Sequence, residues 1–129
     1  MNYLILLAGV LATLAIIGHF TMGTKDFLKP VMNSDIDEIP KKVMQSLFHY
    51  MSVFMILTSL ILLGISTGDC MLFENTTDVL RFIGLIYAAF AFVQFLIALT
   101  SSVKMGVFKM FQWILWTLIA FLIFAGIYL

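Results

Sequence analysis

The stretch GHFTMGTKDFLKPVMNSDIDEIPKKVMQSLFHYMS, residues 18–52, decides how this chain is organised. It contains both histidines and both prolines, together with four of the seven basic and four of the seven acidic residues. Long apolar runs precede and follow it. Because charges and prolines gather where a chain leaves an apolar environment, the stretch predicts a polar connection between two apolar helices.

The composition of the whole chain is far more apolar than that of a soluble domain. Of its 129 residues, 63% are hydrophobic and 11% are charged, and the mean hydropathy is +1.12. A soluble domain carries roughly 25% charged residues. We therefore expect an integral membrane protein whose first partner is the lipid bilayer. The zero net charge and the lack of a basic cluster argue against a nucleic-acid partner.

Four apolar runs predict four transmembrane helices, at about 3–20, 46–66, 79–100 and 107–128. Each run is close to the ~20 residues that cross a ~30 Å hydrocarbon core. The segment from about residue 21 to residue 45 is predicted to be a loop. Alternatives remain open there. The segment Lys25–Lys29 continues the first helix or lies at the membrane interface, and the segment Ile36–Met44 begins the second helix early, with Pro40 in its first turn. The predicted fold is an all-α, single-domain, four-helix transmembrane bundle.

The basic residues predict the orientation of this bundle. Six of the seven belong to the first and third connections or their edges, and only Arg81 lies on the other side; the six are Lys25, Lys29, Lys41, Lys42, Lys104 and Lys109. Basic residues concentrate on the cytoplasmic side of a membrane protein. We therefore expect both termini outside and the 21–45 connection in the cytoplasm.

Small residues form stripes on two of the predicted helices. The first stripe consists of Ala8, Ala12 and Ala15, and the second of Gly84, Ala88 and Ala91. Small side chains let membrane helices approach closely. Since no catalytic motif accompanies them, the stripes favour a non-catalytic protein that works by helix association, either with itself or as an accessory subunit of a membrane complex.

A second set of residues is polar and lies within the predicted helices. The set comprises His19, His49, Ser52, Gln94 and Gln112, and the predicted topology brings all of them to the cytoplasmic half of the membrane. Polar side chains inside a membrane mark a candidate site. They also serve as interhelical hydrogen-bonding partners, so a purely structural interpretation stands beside the functional one.

The functional interpretation centres on the two histidines. His19 and His49, on adjacent antiparallel helices, are the residue type that ligates haem iron or a transition metal. A histidine that changes charge near neutral pH also suits a transporter or channel. An enzyme acting on lipid is a third, weaker hypothesis, because the sequence contains no phosphate-binding loop, nucleophile elbow or intramembrane carboxylate pair.

The pattern His19-x-x-x-Gly23, then Pro30, then Phe48-His49-x-x-Ser52 resembles that of small bacterial four-helix inner-membrane proteins. The resemblance covers about the first half of the chain. It implies a four-helix fold in the bacterial inner (plasma) membrane and no established activity. Thr24 follows the glycine here, where an acidic residue is expected, and Asp26 is the nearest carboxylate.

Overall fold

The computed structural model describes residues 1–70 and 72–129, and it is all-helical, without strands, across that part of the chain. The helices in chain order are α1 (Tyr3–Met32), α2 (Glu38–Thr67), α3 (Thr76–Thr100), α4 (Gly106–Lys109) and α5 (Gln112–Tyr128). The predicted all-α class is thereby confirmed. Helices α1, α2 and α3 are long and apolar enough to cross a membrane, and α5 is an apolar helix of 17 residues.

The first two helices extend well into residues 21–45, which the hydropathy pattern assigns to a loop. Helix α1 continues to Met32 and α2 begins at Glu38, so only residues 33–37 connect them. Pro40 is tolerated as the third residue of α2, because an N–H at that position has no partner within a helix. The loop prediction is therefore wrong for most of its length, and the two alternatives of longer helices describe the chain better.

The C-terminal apolar run, predicted as one helix over about 107–128, is divided. The short helix α4 ends at Lys109, and α5 begins at Gln112. The indole Nε1 of Trp113 donates a 3.0 Å hydrogen bond to the carbonyl of Val107 and so ties the two pieces together. Gln112 is consequently the first residue of α5 and does not lie in the interior of one continuous helix over 107–128.

The four longer helices pack in a ring. Helix α1 lies between α2 and α5, α3 packs along α5, and α2 and α3 meet over a small area. The interior is apolar and is contributed by all four; its buried residues are Ile5, Ala8, Ala12, Ala15, Met55, Leu62, Leu80, Ile83, Tyr87, Ala91, Trp116, Ile119, Ala120 and Ile123.

Small residues set the closest approaches between these helices. A Cβ on Gly9 would lie 2.8 Å from Leu63 Cδ2, so α1 and α2 are in contact there. A Cβ on Gly84 would lie 3.1 Å from Phe124 Cζ, between α3 and α5. Every member of the two predicted stripes is buried or half-buried within the chain: Ala8, Ala12, Ala15, Gly84, Ala88 and Ala91. The stripes therefore hold this bundle together.

Larger side chains fill the wider space between α2 and α3. The phenol of Tyr87 is hydrogen-bonded to Thr58 Oγ1 at 2.8 Å, and the residue is 1% exposed. The ring of Phe54 contacts the rings of Tyr87 and Phe90, with centroids 5.7 and 5.3 Å apart. One buried polar contact thus fixes the register of the two helices that share the least surface.

Asn2 joins three helices at the opposite end from the 33–37 connection. Its side-chain oxygen caps α1 by accepting from the N–H of Ile5, and its Nδ2 donates a 2.7 Å hydrogen bond to the carbonyl of Gly126 in α5. Its backbone N–H donates to the carbonyl of Ser66 near the end of α2, at 2.9 Å. This single residue therefore sets the relative heights of α1, α2 and α5.

Candidate functional site

His19 lies where α1 leaves the apolar part of the bundle, and its imidazole faces α2. The Nε2 atom is 2.9 Å from Ser52 Oγ and 3.2 Å from the carbonyl oxygen of Phe48. The imidazole is stacked on the Phe48 ring, with centroids 3.9 Å apart and an interplanar angle of 16°. The three residues, with Gly23 beneath the Phe48 ring, form what we call the His19 cluster.

The hydrogen bonds of the cluster favour one tautomer of His19. The hydroxyl of Ser52 donates to the carbonyl of Phe48 at 3.1 Å, as a serine in a helix often does. Both atoms near Nε2 are then acceptors, so Nε2 satisfies them only if it carries the proton. Nε2 of His19 is therefore assigned as protonated, and Nδ1 lies on the side of Gly23.

The backbone around His19 is a π-helix, which spans His19–Leu28 within α1. The positions that face the bundle, Ala15, His19, Gly23 and Leu28, are spaced by four, four and five residues. An α-helix of 3.6 residues per turn would carry such positions off one face, whereas a helix with i→i+5 bonds holds them on it. The N–H of Lys29 makes one such bond, to the carbonyl of Thr24. Segments of this kind occur frequently at functional sites.

His49, the second predicted ligand, does not share the position of His19. It is exposed on α2, and its ring meets Phe48 edge-on at 5.6 Å. The Nε2 of His19 lies within hydrogen-bonding distance of Ser52 and Phe48, and its ring is stacked on Phe48. Among the described residues, no three His, Cys, Asp or Glu side chains gather as a metal site. The His19/His49 pair as ligands of a haem or a transition metal stays a prediction.

Gln112 lies at the depth of His19, although no hydrogen bond joins them among the described residues. Ile5 of α1 contacts Gly126 of α5. His19 is 14 residues after Ile5 in α1, and Gln112 is 14 residues before Gly126 in α5. Since antiparallel α-helices rise equally per residue, the two side chains share one level. The Oε1 atom of Gln112 is buried and accepts no hydrogen bond from the described part of the chain.

Gln94 belongs to the same level but to another corner of the bundle. Its neighbour Phe95 meets Trp113 edge-on, with centroids 5.1 Å apart, which places this turn of α3 beside the first turn of α5. Gln94 itself is half-buried. Of the five predicted polar residues, the structure thus joins His19 and Ser52 directly, sets Gln94 and Gln112 at their level, and leaves His49 on the outside.

Phe48 is the member of the His19 cluster that the sequence analysis does not predict, because an apolar residue is not marked as a candidate for a polar site. It contributes a ring for stacking and a carbonyl oxygen that accepts from both His19 and Ser52. Asn2 was also overlooked, although an asparagine directly before an apolar run is a recognisable helix-capping signal.

The fold defines an all-helical protein, over the described residues, with three helices that are long and apolar enough to span a membrane. No protein-family model, curated protein or solved structure matches the chain at a significant level.

Proposed function

We propose that this chain is a non-catalytic protein of the bacterial plasma membrane that crosses the bilayer four times and works as an accessory subunit, by association with another membrane protein or with a second copy. Both termini lie outside in this proposal, and the 33–37 connection lies in the cytoplasm. The distribution of basic residues, six of seven towards that connection and the α3–α4 turn, supports the orientation.

The observation that carries the proposal is the helical hairpin formed by the ends of α1 and α2. Each of these helices has 30 residues, which is about 45 Å at 1.5 Å per residue, against a hydrocarbon core of about 30 Å. The excess lies beyond His19 and Phe48, where only residues 33–37 link the helices. A projection with so short a link is a rigid surface for a partner.

The α1 side of this hairpin keeps large apolar side chains exposed. Met22 is 53% exposed and Phe27 is 49% exposed. They are five residues apart in the π-helical segment, so they lie on one face. Exposed apolar groups beyond the membrane favour contact with another protein. The small-residue stripes, in contrast, pack inside the bundle. We therefore expect a partner protein to contact the face that carries Met22 and Phe27.

Photocrosslinking in the native membrane tests the proposal. A photoreactive amino acid at Phe27 should give a discrete adduct with one protein, because the position faces the partner. The matched control is Leu60, which is 62% exposed within the apolar part of α2 and should contact lipid. If positions 27 and 60 gave the same protein adducts, or if neither gave one, the proposal that a partner binds the hairpin would be contradicted.

A second candidate function, proton or small-solute transport, is favoured by the His19 cluster. The supporting observation is that the π-helix begins at His19. At the same depth, the Oε1 of Gln112 is buried and has no hydrogen-bond donor among the described residues. A histidine inside a membrane protein is a common proton carrier. Flux into liposomes should fall for His19→Ala and stay unchanged for the exposed His49→Ala. Equal flux in both variants and the wild type would remove this candidate.

A further inference from the structure

The outer surface of α2 carries a groove at the end nearer the 33–37 connection. It has a volume of about 410 Å³ and is lined by residues of α2 between Glu38 and Tyr50. Apolar side chains, among them Val43 and Leu47, form its floor, and Lys42, Ser46 and Tyr50 supply its polar groups at successive turns. The groove is separate from the His19 cluster, which faces the inside of the bundle.

The depth of the groove coincides with the boundary between hydrocarbon and headgroups. After Tyr50, the exposed side chains of α2 are apolar for several turns; they are Val53, Ile56, Leu57 and Leu60. Residues 47–66 of α2 match a hydrocarbon core of about 30 Å at 1.5 Å per residue. Lys42 and Ser46 then lie among the headgroups, and the groove continues directly into the surface that contacts acyl chains.

Two charged residues line the groove, Glu38 and Lys42. Glu38 at its rim is paired with Lys41, with 3.3 Å between Oε1 and Nζ. Lys42 has no carboxylate partner among the described residues, and its Nζ is 3.3 Å from the amide oxygen of Gln45. The ammonium group of Lys42 is thus free to bind a phosphate at the headgroup level. His49, seven positions further on and exposed, lies on the same helix face.

We propose that this groove binds an anionic glycerophospholipid. The headgroup phosphate lies against the ammonium group of Lys42, the glycerol region passes Ser46 and the phenol of Tyr50, and one acyl chain follows Leu47 towards Val53. The apolar floor and its continuity with the lipid-facing surface favour a lipid over a free phosphate ion. A basic side chain near a membrane surface strengthens binding of an anionic lipid by about fivefold.

Native mass spectrometry of the purified protein in mild detergent tests the proposal. The probes are phosphatidylglycerol and phosphatidylcholine with identical acyl chains. We expect the wild type to bind phosphatidylglycerol about fivefold more tightly, and Lys42→Ala to lose that preference. The control is Lys104→Ala, which removes the same charge from an exposed residue of the α3–α4 turn and should keep the preference.

Four outcomes would overturn the lipid site. In the first, Lys42→Ala keeps the preference for phosphatidylglycerol, and in the second, Lys104→Ala loses that preference as fully as Lys42→Ala does. In the third, millimolar glycerol phosphate displaces phosphatidylglycerol. In the fourth, the protein is a dimer that Lys42→Ala dissociates while the lipid adducts stay unchanged. The third result would show a phosphate site, and the fourth an interface between copies. Equal helicity and thermal midpoints of the three proteins establish that each variant is folded.

Discussion

Gly9 and Leu63 bring α1 and α2 so close that a side chain on residue 9 collides with the neighbouring helix. A Cβ at this position would lie 2.8 Å from Leu63 Cδ2 and 3.2 Å from the Leu63 backbone nitrogen. Gly23, four turns along the same helix, is different. A Cβ there would meet the Phe48 ring at 3.5 Å, an ordinary contact distance.

These two glycines make a matched pair for a test of the packing. We expect Gly9→Ala to lower the free energy of unfolding by about 1–3 kcal/mol, because the helices must move apart. Gly23→Ala should leave stability unchanged or raise it by up to about 1 kcal/mol, since alanine is the better helix former. Unfolding by denaturant titration in mild detergent measures both. Equal effects of the two substitutions would contradict the α1–α2 register.

The hydrogen bond between Thr58 and Tyr87 should be the principal polar tie between α2 and α3. A double-mutant cycle with Thr58→Val and Tyr87→Phe is expected to give a coupling free energy of about 0.6–1.7 kcal/mol, the range found for hydrogen bonds between membrane helices. Strict additivity of the two substitutions would mean that the two hydroxyl groups do not interact.

Asn2 acts through both ends of its amide, and two substitutions separate them. Asn2→Asp keeps the oxygen that caps α1 but removes the donor to Gly126. Asn2→Ala removes both and should cost about 1 kcal/mol more than Asn2→Asp, the usual contribution of a helix cap. Hydrogen exchange should rise at the end of α5 in both variants and at the start of α1 only in Asn2→Ala. Exchange that rises at neither end would argue against this junction.

The proposed orientation is tested by labelling single cysteines from one side of the membrane. In a Cys70→Ser background, Asp35→Cys in the 33–37 connection should react with a membrane-impermeant maleimide only after the cells are opened. Glu74→Cys, in the α2–α3 connection, should react in intact cells. Labelling of both positions from the same side would show that α2 does not cross the membrane and would contradict the proposed topology.

The sequence predicted the helical class well because an apolar run of membrane-spanning length has few other structures available. It misplaced the helix ends around residues 21–45, since charge density marks the membrane boundary and not the end of a helix. Helix α1 runs through Lys25, Lys29 and Pro30 to Met32. The N–H of Lys29 donates to the carbonyl of Thr24 directly before the proline, which has no N–H to donate.

The candidate site was only partly predictable for a similar reason. Helical spacing placed His19 on the face of Ala15, and both do face the bundle. Helical spacing in α2 does not tell whether His49 or Phe48, one residue earlier, faces α1. In the structure it is the Phe48 ring that stacks on His19. A π-helix shifts every later position around the helix axis. The composition of residues 19–28 does not indicate this i→i+5 register, so the faces of the later residues could not be predicted.

Association is tested by the mass of the protein after extraction from its own membrane in mild detergent. We predict a complex heavier than a single chain, and we expect Met22→Ser combined with Phe27→Ser to dissociate it. Leu60→Ser, on the lipid-facing part of α2, should leave the complex intact. A wild-type protein that is always a single chain with bound lipid would contradict the claim that this protein works by association.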